Sequence, residues 1–278
     1  MLSYRHSFHA GNFADVLKHI VLVETLEYLT RKDKAFTYID THAGAGLYDL
    51  RSDQALKRNE WTQGIGKVDL DTWPELSHYF DPIRSNNRDK PLTFYPGSPL
   101  FAQHFLRPQD RAHLFELHTS DYPLLKQAIG NDRRISIENT DGFAGLKKLL
   151  PPPSRRGLIL IDPSYEVKLD YETVFKAIHY AHRKFSTGIY ALWYPVVQRP
   201  RIETLEAQFK DSGIRNIQQF ELGLAPDSDQ PGMTASGMIV INPPWVLLDR
   251  MNQILPKLVE TLETGTGAFY RSEVLVEE

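Results

Sequence analysis

Residues 216–222, NIQQFEL, and residues 237–242, GMIVIN, are two strand-like segments with no helical segment between them. The connecting residues 225–236, APDSDQPGMTAS, form a long polar loop. Two strands joined in this way pair antiparallel, because a parallel connection needs about a dozen residues and usually a helix. The sequence therefore predicts an antiparallel hairpin near the end of the chain, with a loop that can line a site.

Upstream of the hairpin, predicted strands and helices alternate. The first helix is predicted to begin at Phe13, with Asn12 as its N-cap, and to end at the charged residues 31–34. Further strands are predicted at residues 36–40, 113–117, 134–141, 157–162 and 188–195, and further helices at residues 120–129, 142–150, 170–185 and 199–212. This alternation predicts a parallel sheet that is covered by helices on both faces.

A parallel α/β sheet that ends in an antiparallel hairpin resembles the layout of S-adenosylmethionine-dependent methyltransferases, whereas Rossmann dehydrogenases lack the hairpin. The expected fold class is therefore α/β: a Rossmann-like methyltransferase fold with a mostly parallel seven-stranded sheet. Residues 48–95 interrupt the alternation and are interpreted as a small, mainly helical inserted subdomain, in which Trp61 and Trp73 suggest a core of its own. The methyltransferase domain then comprises residues 1–47 and 96–278.

The composition limits the classes of function. A chain of 278 residues with 41% hydrophobic residues can bury a large core, and its net charge of −3 argues against a general polyanion binder. The absence of cysteine excludes disulfides and thiolate metal sites and fits a reducing cytoplasm. We see no signal peptide and no apolar run long enough to span a membrane, so we expect a cytoplasmic protein.

Acidic residues follow several predicted strands, where open α/β sheets bind ligands. The loop after the first strand carries His42 and Gly44 in the sequence DTHAGAG, which alone could be a simple tight turn. Glu116 ends a later strand, where a carboxylate can accept hydrogen bonds from ribose hydroxyls, and Asp141 precedes Gly142, where it can accept from an adenine amine. Taken separately, each acid could be a surface or capping residue; together they predict a nucleoside-binding rim.

The buried strand GLILI leads into Asp162-Pro163-Ser164-Tyr165, which resembles the D/N-P-P-Y motif of amino-methyltransferases. An exocyclic amine is a poor nucleophile because its lone pair is delocalised into the ring. The Asp162 carboxylate and the Pro163 carbonyl would hold the amine hydrogens, and Asp162 could take the proton. Tyr165 would stack on the base. Ser164 replaces the second proline of the motif, which puts the rigidity of the loop in doubt.

Two alternatives stand against Asp162 as the catalytic residue. Asp162-Pro163 could simply open a helix. Residues 242–245, NPPW, also match the motif, but they follow the last strand of the hairpin, far from the glycine loop in the expected sheet order.

Several longer motifs identify a family. They are YRHSFHAGNFADVLKH at residues 4–19, YIDTHAGAG at 38–46, YPGSP at 95–99, FELH at 115–118, DGF at 141–143 and IDPSYE at 161–166. Together they resemble the RlmJ family of bacterial 23S rRNA adenine-N6-methyltransferases over essentially the whole chain. The resemblance implies S-adenosylmethionine as the cofactor, Asp162 as the catalytic acceptor and Tyr4 as a contact to the RNA. It also implies cofactor contacts at His19, His42, Ser98, Glu116, Asp141, Gly142 and Asp162, and the glycine loop adds Gly44 to the expected cofactor-binding residues.

Other expectations for the site come from residue chemistry. Ser98 is a natural N-cap for a helix from Pro99 onward, and capping is compatible with a cofactor contact. Arg5 and Lys18 are candidate contacts to RNA phosphates, although a solvated charged surface is the simpler interpretation of either. The histidines lack acidic partners at metal-ligand spacing, and methyl transfer needs no metal, so none is expected.

Three other functions remain open from the sequence. The same chemistry could act on DNA, the chain could be a nucleotide-binding oxidoreductase, or it could bind RNA without catalysis. The expected partner is 23S rRNA, free or in a precursor particle, with no membrane association and a monomeric protein.

Overall fold

The computed structural model describes residues 5–69, 71–88, 91–166, 170–228, 230, 232–263 and 265–278. The α-helices are α1 (Phe13–Thr30), α2 (Asp53–Arg58), α3 (Ser77–Asn87), α4 (Ser98–Phe105), α5 (Asp121–Ile129), α6 (Gly142–Leu149), α7 (Asp170–Lys184), α8 (Arg199–Asp211) and α9 (Leu247–Leu262). The strands are β1 (Thr37–Asp40), β2 (Leu47–Asp49), β3 (Phe94–Pro96), β4 (Arg111–Phe115), β5 (Ile135–Glu138), β6 (Gly157–Ile161), β7 (Ile189–Val196), β8 (Ile217–Gly223), β9 (Ala235–Ile241) and β10 (Phe269–Val276). Asn12 caps α1 as predicted, since its side chain accepts from the Asp15 N–H.

Eight strands form the main sheet, in the order β10-β8-β9-β7-β6-β1-β4-β5. Strands β5, β4, β1, β6 and β7 run parallel, and β9 pairs antiparallel with both β7 and β8. This arrangement confirms the α/β fold class and the predicted hairpin. The expected count of seven strands was one too low, because β10 pairs antiparallel with β8 and becomes the edge of the sheet.

Helices cover both faces of the sheet, as the alternation predicts. On one face α1, α4 and α9 share a hydrophobic cluster with side chains such as Leu158 and Val240, and on the other α7 and α8 pack against the neighbouring side chains of the same strands. The strand β6 is buried along its whole length, which is expected for a strand inside a parallel sheet. None of the described helices combines the length and the apolar composition that a membrane crossing requires.

The stretch between β2 and β3 contains α2, α3 and three short 3-10 helices, and β2 pairs antiparallel with β3 at its base. Its apolar side chains do not form the separate core that the tryptophans suggested. Ile65, Trp73, Tyr79 and Phe80 belong to the same hydrophobic cluster as the buried side of α1. Tertiary packing therefore joins this stretch firmly to the main domain.

The sheet order brings the ends of β1, β4 and β6 together. These three parallel strands are neighbours, with β1 in the middle. Asp40 is the last residue of β1, Glu116 follows β4, and Asp162 follows β6. Because the carboxyl ends of parallel strands share one edge, these three acidic residues, two of which were predicted to line a site, lie side by side.

Candidate active site

A cavity lies at this edge of the sheet and is called the first cavity. Six of the residues that were expected to contact a cofactor line it: His19, His42, Gly44, Ser98, Glu116 and Asp162. Asp141 and Gly142 were also expected there, but they are not among its lining residues. Among the described residues, no group of three or more histidine or acidic side chains is placed to hold a metal ion.

The carboxylate of Glu116 is held by the backbone of the glycine loop. Its Oε2 accepts the Gly44 N–H at 2.7 Å, and its Oε1 accepts the His118 N–H at 2.6 Å. Gly44 adopts φ +64°, and a Cβ atom there would lie 2.3 Å from the Tyr48 hydroxyl. Glycine is therefore required at this position both by the backbone and by the space. Burial raises the pKa of Glu116.

Asp40 lies behind the first cavity and accepts hydrogen bonds from two residues of its lining, Ser98 and His42, a role the sequence did not assign to it. The side chain is 0% exposed, and its Oδ2 accepts the hydroxyls of Tyr38 at 2.8 Å and Ser98 at 2.7 Å. Its Oδ1 accepts the His42 N–H at 3.2 Å. Burial raises the pKa of Asp40 to about 6, although these hydrogen bonds oppose the shift.

The predicted capping role of Ser98 was wrong. Ser98 is the first residue of α4, the N-cap position is Gly97, and no side chain caps the helix. The hydroxyl of Ser98 instead donates to the buried carboxylate of Asp40, which is a strong acceptor.

His19 presents an unused polar atom to the first cavity. Its Nδ1 lies 2.8 Å from the Tyr95 hydroxyl, which lies 3.1 Å from the Tyr79 hydroxyl. Its Nε2 is buried and has no hydrogen-bond partner. Burial holds the pKa of His19 well below its ordinary value, so the ring is neutral. A buried polar atom without a partner is costly, which favours a ligand atom beside Nε2.

His42 lines the first cavity, whereas Asp141 caps the neighbouring helix α6. The His42 ring packs edge-on against Phe143 at 5.2 Å, and its Nδ1 lies 2.8 Å from the Thr41 hydroxyl. Asp141 caps α6 by accepting the Phe143 N–H at 2.7 Å. Gly142 packs so closely on Thr41 that a Cβ atom would lie 2.1 Å from the Thr41 carbonyl oxygen. The capping role that the sequence left open for Asp141 is therefore present.

A chain of charged side chains links α1 to the end of β6. Lys18 Nζ lies 2.6 Å from Asp162 Oδ2 and 2.8 Å from Asp15 Oδ1. Asp15 Oδ2 in turn lies 2.8 Å from His6 Nε2 and accepts the Gly11 N–H at 2.9 Å. Lys18 is only 4% exposed, so in this conformation it contacts carboxylates rather than an RNA backbone.

A second cavity lies on the other side of Asp162. Asp162, Lys18 and Ser164 line both cavities, while Tyr165, Tyr171 and Trp193 line the second one alone. The Tyr165 ring lies 4.5 Å from the Tyr171 ring and 5.9 Å from the Trp193 ring, and its hydroxyl donates to the Trp193 carbonyl at 2.8 Å. The second cavity therefore offers an aromatic wall next to the carboxylate.

The competing NPPW segment lies elsewhere. Asn242 follows β9, whose Ile241 pairs with Tyr190 near the start of β7, so it lies at the amino ends of the parallel strands. Its side-chain amide donates to the carbonyls of Ser186 and Gly188 at 2.8 Å each. Asn242 therefore serves the local backbone, at the opposite edge of the sheet from Asp162.

Known proteins place the chain in a family. Residues 33–275 match the sequence profile of a family described as "Ribosomal RNA large subunit methyltransferase D, RlmJ". The chain belongs to this RlmJ family. A protein of Escherichia coli (strain K12) named "Ribosomal RNA large subunit methyltransferase J" is 54% identical over 270 residues, which is 96% of each chain. A protein of Haemophilus influenzae with the same name is 51% identical over 273 residues and 97% of each chain.

Solved structures agree with this membership. A crystal structure of a Legionella pneumophila protein is 40% identical and superposes with a TM-score of 0.88, covering 96% of this chain and 98% of that one. A probable spermidine synthase from Corynebacterium glutamicum shares the fold alone, with a TM-score of 0.52 and 11% identity over 97% of this chain and 78% of that one. The resemblance stated from the motifs is confirmed, and the chain is an enzyme of the methyltransferase class.

Of the three predicted RNA contacts, the structure describes Arg5 and Lys18. Tyr4 lies outside the described residues. The Arg5 guanidinium lies 3.2 Å from Asp121 Oδ1, on the rim of the first cavity. Sequence reasoning missed Asp15 and His6, although both belong to the 4–19 motif, because they are linked to Asp162 only through Lys18 and Asp162 is remote in the chain.

Proposed function

We propose that the protein transfers a methyl group from S-adenosylmethionine to N6 of an adenine in 23S rRNA. The observation that carries this proposal is the position of Asp162 in the wall between two cavities. One cavity is lined by His19, Ser98 and Glu116, which suit a nucleoside-containing donor, and the other has three aromatic side chains that suit a base. A carboxylate at their junction can act on a group that sits between donor and acceptor.

The residues of the first cavity fit S-adenosylmethionine. The buried Nε2 of His19 lacks a partner and suits a polar atom of the cofactor, and Ser98 lies beside it in the lining. The Glu116 oxygens accept backbone N–H groups but keep lone pairs for ribose hydroxyls. When bound, this cofactor supplies an electrophilic methyl group on a sulfonium sulfur.

Asp162 and Pro163 would position the target amine. The Asp162 carboxylate and the Pro163 carbonyl would accept its two hydrogens, so that the nitrogen lone pair is free to attack, and Asp162 would take the released proton. Lys18 fixes Asp162 Oδ2 at 2.6 Å and so sets the direction of the carboxylate. The Tyr165 hydroxyl bond to Trp193 fixes a ring on which the adenine would stack.

The segment of residues 48–95 would act as an inserted subdomain that supports the acceptor side. His9 lines the second cavity, and its Nδ1 lies 2.9 Å from Glu60 Oε2 within this segment. RNA is favoured over DNA because both curated relatives are named as ribosomal RNA methyltransferases. A substrate of this kind also supports a cytoplasmic location.

A methyl-transfer assay with a labelled methyl donor tests the proposal. Unmodified 23S rRNA transcript should accept label from the wild type and from Asn242→Ala, whereas Asp162→Ala should lose at least about a hundredfold in rate. Retained activity in Asp162→Ala with loss in Asn242→Ala would reverse the assignment. Equal rates on ribo- and deoxyribo-oligomers of one sequence would contradict the choice of RNA. Mass mapping of N6-methyladenine in rRNA from cells that lack the gene should locate the target.

A further inference from the structure

The second cavity contains one basic side chain that the site chemistry does not use. Four basic residues line this cavity: His6, His9, Lys18 and Arg201. The first three have carboxylate partners, namely Asp15 for His6, Glu60 for His9, and Asp15 and Asp162 for Lys18. Within the described ranges, Arg201 alone of the four forms no ion pair with a carboxylate.

A neighbouring arginine of α8 does have carboxylate partners among the described residues, in contrast to Arg201. Arg199, two residues earlier, contacts Glu221 at 2.8 Å and Asp227 at 2.7 Å, so its charge is matched within the protein. Arg201 is only partly exposed and lines the cavity. The charge of Arg201 also acts on Tyr171 in the cavity wall. Burial raises the pKa of Tyr171 to about 12, and the positive charge of Arg201 opposes this rise.

The geometry of the cavity indicates what such a charge would meet. Asp162 is at the inner end, next to the first cavity, and Tyr165, Tyr171 and Trp193 form the aromatic wall. A base that enters to reach Asp162 leaves its ribose and phosphate near the solvent side, where Arg201 and the 39% exposed Val197 lie. A guanidinium matches two phosphate oxygens with parallel hydrogen bonds.

We propose that Arg201 binds a phosphate group attached to the adenosine that is flipped into the second cavity. This inference rests on the proposed function and adds a substrate-positioning residue to it. Arg201 would be a positioning residue, because it holds the nucleotide backbone and does not touch the reacting nitrogen. Its contribution would be independent of RNA sequence, as phosphate contacts are.

Binding of single nucleotides tests the phosphate contact without methyl transfer. Calorimetry with adenosine, adenosine 5′-monophosphate and adenosine 3′-monophosphate should show that the wild type prefers one of the nucleotides over the nucleoside by roughly tenfold. The preferred isomer identifies which phosphate is held. Arg201→Ala should lose this preference and Arg201→Lys should keep part of it. The same preference in Arg201→Ala, or no preference in the wild type, would overturn the proposal.

Kinetics on unmodified 23S rRNA transcript provide a second readout. Arg201→Ala should raise KM by roughly tenfold with little change in kcat. The slope of log(1/KM) against log salt should become less steep by about one, which corresponds to the loss of one phosphate contact. Lys210→Ala removes a positive charge from the far end of the same helix and should change neither. An equal effect of Lys210→Ala would show that only overall charge matters. Absence of methyl transfer by the wild type would instead refute the proposed function, whatever the nucleotides show.

Discussion

Lys18 Nζ lies 2.6 Å from Asp162 Oδ2, although 144 positions of sequence separate the two residues. The lysine also contacts Asp15 at 2.8 Å and is buried. Burial alone would lower the pKa of Lys18, but the two carboxylates outweigh it and hold that pKa above its ordinary value. The proposed catalytic carboxylate is thus oriented by a permanent positive charge on the first helix of the domain.

Removing this charge should destabilise the protein. Lys18→Ala leaves Asp15 and Asp162 without their shared counter-ion, and breaking a buried ion pair costs about 3 kcal/mol of unfolding free energy. Urea unfolding measures the loss, with the exposed Lys32→Ala as the control. The double variant Lys18→Ala, Asp15→Asn should recover part of the stability. Equal losses for Lys18→Ala and Lys32→Ala would contradict this account of the cluster.

His19 should contribute to cofactor affinity through its unpaired Nε2. His19→Ala removes one hydrogen bond to a charged or polar ligand atom, so S-adenosylmethionine should bind roughly tenfold more weakly. Calorimetry measures the dissociation constant. His104→Ala, at an exposed position on α4, is the control and should bind normally. Unchanged affinity in His19→Ala would show that Nε2 does not face the cofactor.

Alanine variants of two glycines distinguish the effect of backbone strain from the effect of a steric clash. Gly44 and Gly130 have nearly equal positive φ angles of 64° and 66°, but a Cβ atom at Gly130 meets nothing within 4 Å. Each alanine variant should lose about 1–3 kcal/mol of unfolding free energy, because a side chain is strained at either positive φ. Gly44→Ala alone should also weaken cofactor binding, because it pushes on Tyr48 and on the loop bound to Glu116. Equal cofactor affinity in both variants would place the glycine loop outside the binding site.

Asp40 should give stability a pH dependence of unusual sign. Because burial raises its folded-state pKa to about 6, the folded protein retains a proton that the unfolded chain releases above its ordinary pKa of 3.8. The unfolding free energy from this group therefore falls as pH rises through that window, by about 3 kcal/mol in total. Asp40→Asn removes the titrating group and so should remove this pH dependence. As pH rises through the same window, the unfolding free energy of the wild type should therefore fall relative to that of the variant by the same amount.

Urea unfolding from about pH 3.5 to about pH 7 tests the Asp40 prediction. Asp132→Asn serves as the control: hydrogen bonds from Arg134 lower the pKa of Asp132, so the pH dependence of that group falls mostly below this range and the stability difference from the wild type should stay nearly constant. A constant stability difference between wild type and Asp40→Asn across this range would refute the prediction.

Regular alternation made the parallel part of the fold predictable. Apolar strands bounded by helical segments fix the sheet, and once the order is known Asp40, Glu116 and Asp162 must meet at one edge. The β8–β9 hairpin was predictable for a related reason, because the polar loop between the strands has no helical pattern that could form a crossover.

Long-range pairings were not predictable in the same way. The bonds from Ser98 to Asp40 and from Lys18 to Asp162 depend on the packing of α4 and α1 against the sheet, and nothing local signals them. A local rule even gave the wrong role for Ser98. Strand β10 escaped notice because most of its residues are partly or fully exposed, so it carries little apolar pattern.

The pairing of β10 with β8 has a consequence for biosynthesis. The backbone edge of β8 can be covered only after residues 269–276 have emerged from the ribosome. Until then the nascent protein carries an uncovered strand beside its hairpin, and such edges recruit strands from other molecules. Slow synthesis of residues 224–276 would therefore prolong the interval in which neighbouring copies can pair with the edge of β8.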